Sequence, residues 1–289
     1  MFILSLIARP GTLETALVSS LRNATGGGAA VWLSQGEAAE FPLDHVPSNL
    51  EELRVAVADQ ADLNLVPALG RRKTMLLADM DSTMIQQECI DELAEEAGVG
   101  AHVKEITARA MNGELDFEGA LAERVALLKD LPEAVIDRVL ETRITLMPGG
   151  RELVATMKAN GGYAALVSGG FTAFTAKVAG LVGFDENRAN TLLVENGTLT
   201  GEVARPILGR EAKVQALEEI SARLGIPEAD VLAVGDGAND LGMLGRAGMG
   251  VALHAKPSVQ AQCDLRVNHG DLTALLYLQG YAREDFATV

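Results

Sequence analysis

The chain is poor in several kinds of residue. Among 289 residues there are two Cys, one Trp, three Tyr and seven Phe. Two cysteines, Cys89 and Cys263, build no disulfide framework and show neither a CxxC nor a zinc-ligand spacing. They read as buried thiols in a reducing compartment. So few aromatics leave a core of aliphatic side chains packed from helices and short strands. Positive charge is scarce too: 24 Lys and Arg stand against 40 Asp and Glu, a formal net charge of −16. Such a field argues against a nucleic acid or an anionic membrane surface as partner, and an anionic substrate would need cations gathered locally. No apolar run is long enough to span a bilayer, and the opening MFILSLIARPG lacks a basic leader region. The expected location is the cytoplasm.

What is present fits a two-domain globular protein of this length. Residues 1–70 predict a small βαββαβ module. MFILSLIA reads as a strand and Thr12 to Asn23 as an amphipathic helix. A glycine turn and two short strands follow, then a helix opened by Ser48 or Asn49, and ADLNLVPA closes the module. The polar GRRK at 70–73 marks the boundary. From Lys73 onward strands alternate with helices, the pattern of a parallel sheet covered on both faces. TMLLA runs into Asp79, YAALV into Ser168 and VLAVG into Asp236. In an open parallel sheet ligands sit beyond the carboxyl ends of the strands, so these three ends are expected to share one crevice. Residues of about 87–146 carry helical periodicity and are expected to cover that crevice as a cap inserted into a core of 71–86 and 147–289.

The chemistry centres on DMDST. Two carboxylates one residue apart repel each other unless a cation is expected between them. One carboxylate can attack a phosphoryl group while the other protonates the leaving oxygen and later deprotonates water. A hard divalent ion, Mg²⁺ before others, relieves the repulsion and neutralises phosphate charge. The competing reading is a pair of strand-terminal aspartates capping a turn. GDGAND adds Asp236 as a third oxygen ligand, with Asn239 and Asp240 beside it. SGGF offers the Ser168 hydroxyl and glycine N–H groups at a helix start for a phosphate oxygen. Lys213, near the start of an amphipathic helix, is placed to neutralise phosphate and carboxylates, although its spacing alone describes an exposed helix lysine.

DMDST, VSGG, Lys213 and GDGAND resemble, in order and context, the four motifs of the haloacid dehalogenase-type phosphotransferases. Through DMDSTMIQQECIDELA, ITARAMNGELDFEGALAERVALLKDL and MPGG the likeness extends to that family's phosphoserine phosphatase branch, from about Arg72 to Pro257. The resemblance implies Asp79 as nucleophile and metal ligand. It implies Asp81 as general acid and base that also lends its backbone carbonyl to Mg²⁺, with Asp236 completing the ligands. It places Ser168, Gly169 and Lys213 on phosphate, Asn239 on phosphate or substrate, and Asp240 behind them. On the cap it puts Glu88 on the ammonium and Arg124 on the carboxylate of O-phosphoserine, with Met111 and Phe117 closing the pocket. A charged acid and a guanidinium at a distance from the phosphate cradle are what that zwitterionic substrate requires. Gly242 departs from the pattern, where an acidic residue is more usual.

The expected fold is therefore an α/β, Rossmann-like parallel sheet with a helical cap, preceded by an ACT-like α+β module that is also a candidate for homodimerisation. Other readings are a phosphatase or phosphotransferase for another small ester such as phosphohomoserine, an amino-acid-binding protein with a silent hydrolase core, and a purely structural protein.

Overall fold

The computed structural model describes the backbone of residues 1–111 and 114–289, and the side chains outside 110–113. The chain begins with β1 (Phe2–Ile7), α1 (Thr15–Thr25), β2 (Val31–Ser34), β3 (Ala38–Leu43), α2 (Leu50–Val57) and β4 (Asp62–Pro67). These four strands form one sheet in the order β2-β3-β1-β4 with antiparallel neighbours. Strand alternation gives the sheet two apolar faces. Leu4, Leu6 and Phe41 pack with Val18 and Leu21 of α1, whereas Ile7, Ala38 and Val66 join the large core of the rest of the molecule. Asn49 stands at the start of α2, as expected, but its side chain makes no capping bond.

After β5 (Met75–Ala78) come four helices, α3 (Cys89–Glu96), α4 (Gly100–Met111), α5 (Phe117–Ala126) and α6 (Ala134–Thr142). An isolated bridge between Ile85 and Leu146 closes the base of this insertion. Within the helical periodicity expected over about 87–146, α4 and α5 are separate helices, and Asp116 caps α5 by accepting a bond from the Gly119 N–H at 2.7 Å. The chain continues through α7 (Gly150–Ala159), β6 (Tyr163–Phe171), α8 (Thr172–Val182) and β7 (Glu186–Asn190). A hairpin of β8 (Leu192–Glu195) and β9 (Thr198–Val203), unforeseen in the sequence, packs on α5. Then follow α9 (Arg210–Leu224), β10 (Val231–Gly235), α10 (Leu241–Arg246), β11 (Met249–Leu253), α11 (Pro257–Gln260), β12 (Leu265–Val267) and α12 (Ala274–Leu278).

The second sheet has the order β12-β11-β10-β5-β6-β7, with parallel neighbours throughout. Its central strands are apolar on both faces, as a covered parallel sheet requires. Leu76, Leu166, Leu232 and Val234 enter one core with Leu153 of α7 and the α12 leucines, while Met75, Leu77, Val167 and Ala233 enter the other with Leu217 and Ile220 of α9. From β5 the chain moves outward on one side through β6 and β7, then returns to lay β10 on the other. The order reverses between β5 and β10, so their carboxyl ends diverge around an open crevice.

The two sheets meet at β4 and β12. Asn64, fully buried, donates from Nδ2 to the Arg266 carbonyl at 2.8 Å and accepts from the Arg266 N–H at 2.9 Å, acting as a peptide group between strands. Asp62 accepts from the N–H groups of Asn268 and His269, both at 2.8 Å. Arg71, in the predicted connecting stretch, makes a two-pronged ion pair with Glu40. Among the described residues no helix is long and apolar enough to cross a membrane.

Candidate active site

Asp79 directly follows β5 and Asp236 directly follows β10, so the sheet reversal itself brings the two carboxylates to one crevice. The Asp79 N–H donates to the Val234 carbonyl at 3.0 Å, continuing the strand pairing one residue past β5. Its side chain is buried; Oδ1 accepts from the Met80 N–H at 2.8 Å and faces Lys213 Nζ at 2.7 Å. Lys213 comes from the first turn of α9 and is 1% exposed, which corrects the surface lysine that helical spacing alone describes. Its ammonium also meets Asp240 Oδ1 at 2.5 Å. The other oxygen of Asp240 accepts from the N–H groups of Asp236 and Gly237, at 3.2 and 3.0 Å. Asp240 is thus fully engaged in holding Lys213 and the turn after β10. Gly235 makes room for it: a Cβ there would lie 2.4 Å from the Asp240 carboxyl carbon.

Asp81 projects from the same loop. Oδ1 accepts from the Cys89 N–H at the start of α3 at 3.1 Å, and a Cβ on Gly170 would approach Oδ2 to 2.6 Å. Ser168 is buried and accepts from the Gly170 N–H at 2.9 Å. The SGG stretch ends a strand rather than opening a helix, since β6 runs on to Phe171 and α8 starts at Thr172. Asn190 fixes that strand end, donating to the carbonyls of Gly169 and Leu208 and accepting from the Leu208 N–H at 2.7 Å.

The electrostatics are those of an acid cluster with too little positive charge. Burial, followed by the charge of Asp240, raises the pKa of Asp79 despite the opposing pull of Lys213. Burial and the nearby Glu88 push Asp81 up to about 7, and burial with Asp240 pushes Asp236 up to about 6. Burial disfavours the Lys213 charge, but Asp79 and Asp240 outweigh it and raise its pKa. A divalent cation would resolve this imbalance. Carboxylate oxygens of Asp79, Asp236 and Asp240 lie within 4.8 Å of one another. All are hard oxygen donors, the set that Mg²⁺-like ions prefer. Since Asp240 spends its oxygens on Lys213 and two N–H groups, Asp79 and Asp236 would be the members to hold such an ion, and Thr83 steadies Asp236 through a 3.3 Å bond.

Above the cluster lies a cavity of about 570 Å³ between the strand ends and the helical insertion. Asp79, Asp81, Ser168, Gly169, Asp236 and Asn239 line its floor; Glu88, Phe117 and Arg124 line it from the cap side. Phe117 lies across the glycines, with a Cβ on Gly169 or on Gly209 coming within 3.2 Å of its ring. Arg124 anchors its Nε on the Ala120 carbonyl at 3.1 Å. Glu88 lines the cavity while remaining exposed, and desolvation there, followed by the charge of Asp91, raises its pKa against the opposing Ser82 hydroxyl. The structure therefore gathers the sequence-predicted residues at one place, apart from Met111, whose side chain lies outside the described residues. Gly242, the departure from the family pattern, has a packing reason: a Cβ there would lie 2.8 Å from Val214 of α9.

Ser82, Asp91, Thr107 and Lys256 also line the cavity and were not singled out from the sequence. Lys256 was within reach of the strand-end rule that found Asp79 and Asp236, because it lies three residues beyond the end of β11. Asn190 carried no comparable signal; its role depends on a contact across about twenty residues of chain.

Paired acids beside a buried ammonium, under a helical cover and at the reversal of a parallel sheet, make a site chemically suited to group transfer. The chain belongs to the haloacid dehalogenase-like hydrolases, whose family pattern it matches over residues 76–245. It is similar to the phosphoserine phosphatase of Streptomyces coelicolor, 43% identical over 255 residues and 86% of this chain, and spans 62% of that relative's length. Among solved structures, a HAD family hydrolase from Salmonella enterica serovar Typhi superposes with a TM-score of 0.88 at 31% identity, covering 96% of this chain and 98% of that one. A phosphoserine phosphatase captured as its phospho-aspartyl intermediate analogue is 42% identical with a TM-score of 0.66, covering 71% of this chain and 98% of the other.

Proposed function

We propose that the chain hydrolyses O-phospho-L-serine to L-serine and phosphate as the last step of serine biosynthesis, through a phosphoryl group carried on Asp79. The observation that supports this reading best is the placing of Asp79, Asp81 and Lys213 beneath one cavity whose cap side carries an acid, Glu88, and a guanidinium, Arg124. In this reading the phosphate enters among Ser168, Gly169, Asn239 and Lys213, while Glu88 receives the ammonium and Arg124 the carboxylate. Phe117 closes the pocket around the substrate, a part that the family resemblance also gives to Met111.

Asp79, Asp236 and the backbone carbonyl of Asp81 would hold Mg²⁺, which would neutralise the phosphate charge. Lys213 holds one oxygen of Asp79, leaving the other to attack phosphorus. As the ester P–O bond breaks, Asp81 gives its proton to the leaving serine oxygen; a raised pKa keeps that proton available near neutrality. Asp81, now a carboxylate, takes a proton from water as the water oxygen attacks the aspartyl-phosphate, and phosphate leaves with the Asp79 carboxylate restored. Most of the acceleration in this scheme comes from positioning and charge stabilisation.

Residues 1–70 are read as an ACT-like unit and 71–289 as the hydrolase, in a cytoplasmic homodimer; light scattering that finds only monomer at micromolar concentration ends the dimer reading. The catalytic assignment is tested by phosphate release from L-phosphoserine and a panel of small phosphomonoesters, with Mg²⁺ and with chelator. Metal-dependent preference for phosphoserine is expected. Activity confined to other esters refutes the substrate assignment, and activity undiminished by chelator refutes the metal.

A further inference from the structure

Glu88 occupies an unusual position for a helix-opening acid. It is the residue before α3, with extended backbone, yet its side chain makes no capping bond to its own helix. Among the described residues it has no ion-pair partner either. Its Oε1 accepts a 2.7 Å hydrogen bond from Ser82 Oγ. Ser82 is the residue immediately after Asp81, and it holds a left-handed backbone, φ 54°, that a side chain-bearing residue adopts at a cost. Its N–H donates to the Gln87 carbonyl at 3.2 Å, folding residues 82–87 into a closed loop and bringing Glu88 back beside it. Both side chains line the active-site cavity.

We infer that Ser82 is a specificity-determining positioning residue, holding the Glu88 carboxylate where it receives the substrate's ammonium group. This rests on the proposed function. Its consequence is that recognition of the amine is registered on the catalytic loop itself: the backbone that aims Asp81 at the leaving oxygen also fixes the acid that reads the amino group. A free Glu side chain at this rim would spread over several rotamers; the hydroxyl selects one and leaves the remaining carboxylate oxygen for the ammonium.

Two variants separate the hydroxyl from the backbone. Ser82→Ala removes the hydroxyl and keeps the strained φ, whereas Ser82→Gly removes the hydroxyl and relaxes the backbone. Steady-state kinetics are measured on L-phosphoserine and on the phosphate ester of 3-hydroxypropionate, which differs only in lacking the amine. Both variants are expected to lose about tenfold in the ratio of kcat/KM between these esters, the size of one hydrogen bond to a charged group, with the loss in KM for phosphoserine. Thermal unfolding of Ser82→Gly should be no lower than that of the parent. Equal loss on both esters, or an unchanged ratio, overturns the inference and leaves the phosphatase assignment standing. A parent enzyme with no preference for the amine-bearing ester overturns the Glu88 assignment in the proposed function, and the inference falls with it.

Discussion

The floor and the roof of the cavity are built differently. On the floor, Asp79, Lys213 and Asp240 are buried, and Asp240 and Lys213 are tied by short bonds to charged groups or backbone N–H. On the roof, Arg124 holds one backbone carbonyl and Glu88 one hydroxyl, both beside open cavity, and Phe117 is 37% exposed. The floor is preorganised by the sheet and independent of what enters. The roof presents charges that have no ion-pair partner among the described residues, and in the proposed function the substrate supplies it. Chemistry and recognition are therefore expected to separate under mutation, the first lost without change in binding preference and the second lost with chemistry retained.

The largest expected effect is at the floor. Asp79→Asn should lower turnover by on the order of 10⁴-fold or more with the fold intact, read by phosphate release and circular dichroism. Lys213→Ala leaves Asp79 and Asp240 as buried carboxylates without their cation, and should cost about 3–5 kcal/mol of stability in addition to activity, measured by denaturant unfolding. At the roof, Arg124→Ala should raise KM for phosphoserine by about 10- to 100-fold, the worth of a charge-assisted bond, while kcat changes much less. A collapse of kcat with unchanged KM would erase the distinction between floor and roof. The smallest effect belongs to the junction of the two sheets. Asn64→Ala strands the Arg266 peptide and should destabilise by about 1–3 kcal/mol in thermal unfolding, with kcat unaltered.

The floor was largely legible in the sequence, because a parallel sheet makes strand ends converge and Asp79, Ser168 and Asp236 each stand at or beside such an end. Lys213 was legible only through the family motif, since no periodicity distinguishes a helix lysine turned inward from one in solvent. The first four strands and their two helices followed from alternation and turn signals; the β8–β9 hairpin did not, its short strands carrying too little apolar pattern. The start of α5 is marked by the Asp116 cap, which the continuous helical periodicity masked. Ser82, Thr83 and Asn190 escaped because their roles arise from loop closure and contacts distant along the chain, which single-residue chemistry does not encode.

The central claim is a phosphoryl group on Asp79. Rapid acid quench of the Mg²⁺-loaded enzyme during turnover of L-phosphoserine, followed by peptide mass spectrometry, tests it most directly. The account predicts one phosphoryl adduct, on the peptide bearing Asp79 and absent from Asp79→Asn. An adduct on another residue, or none during measured turnover, would contradict it.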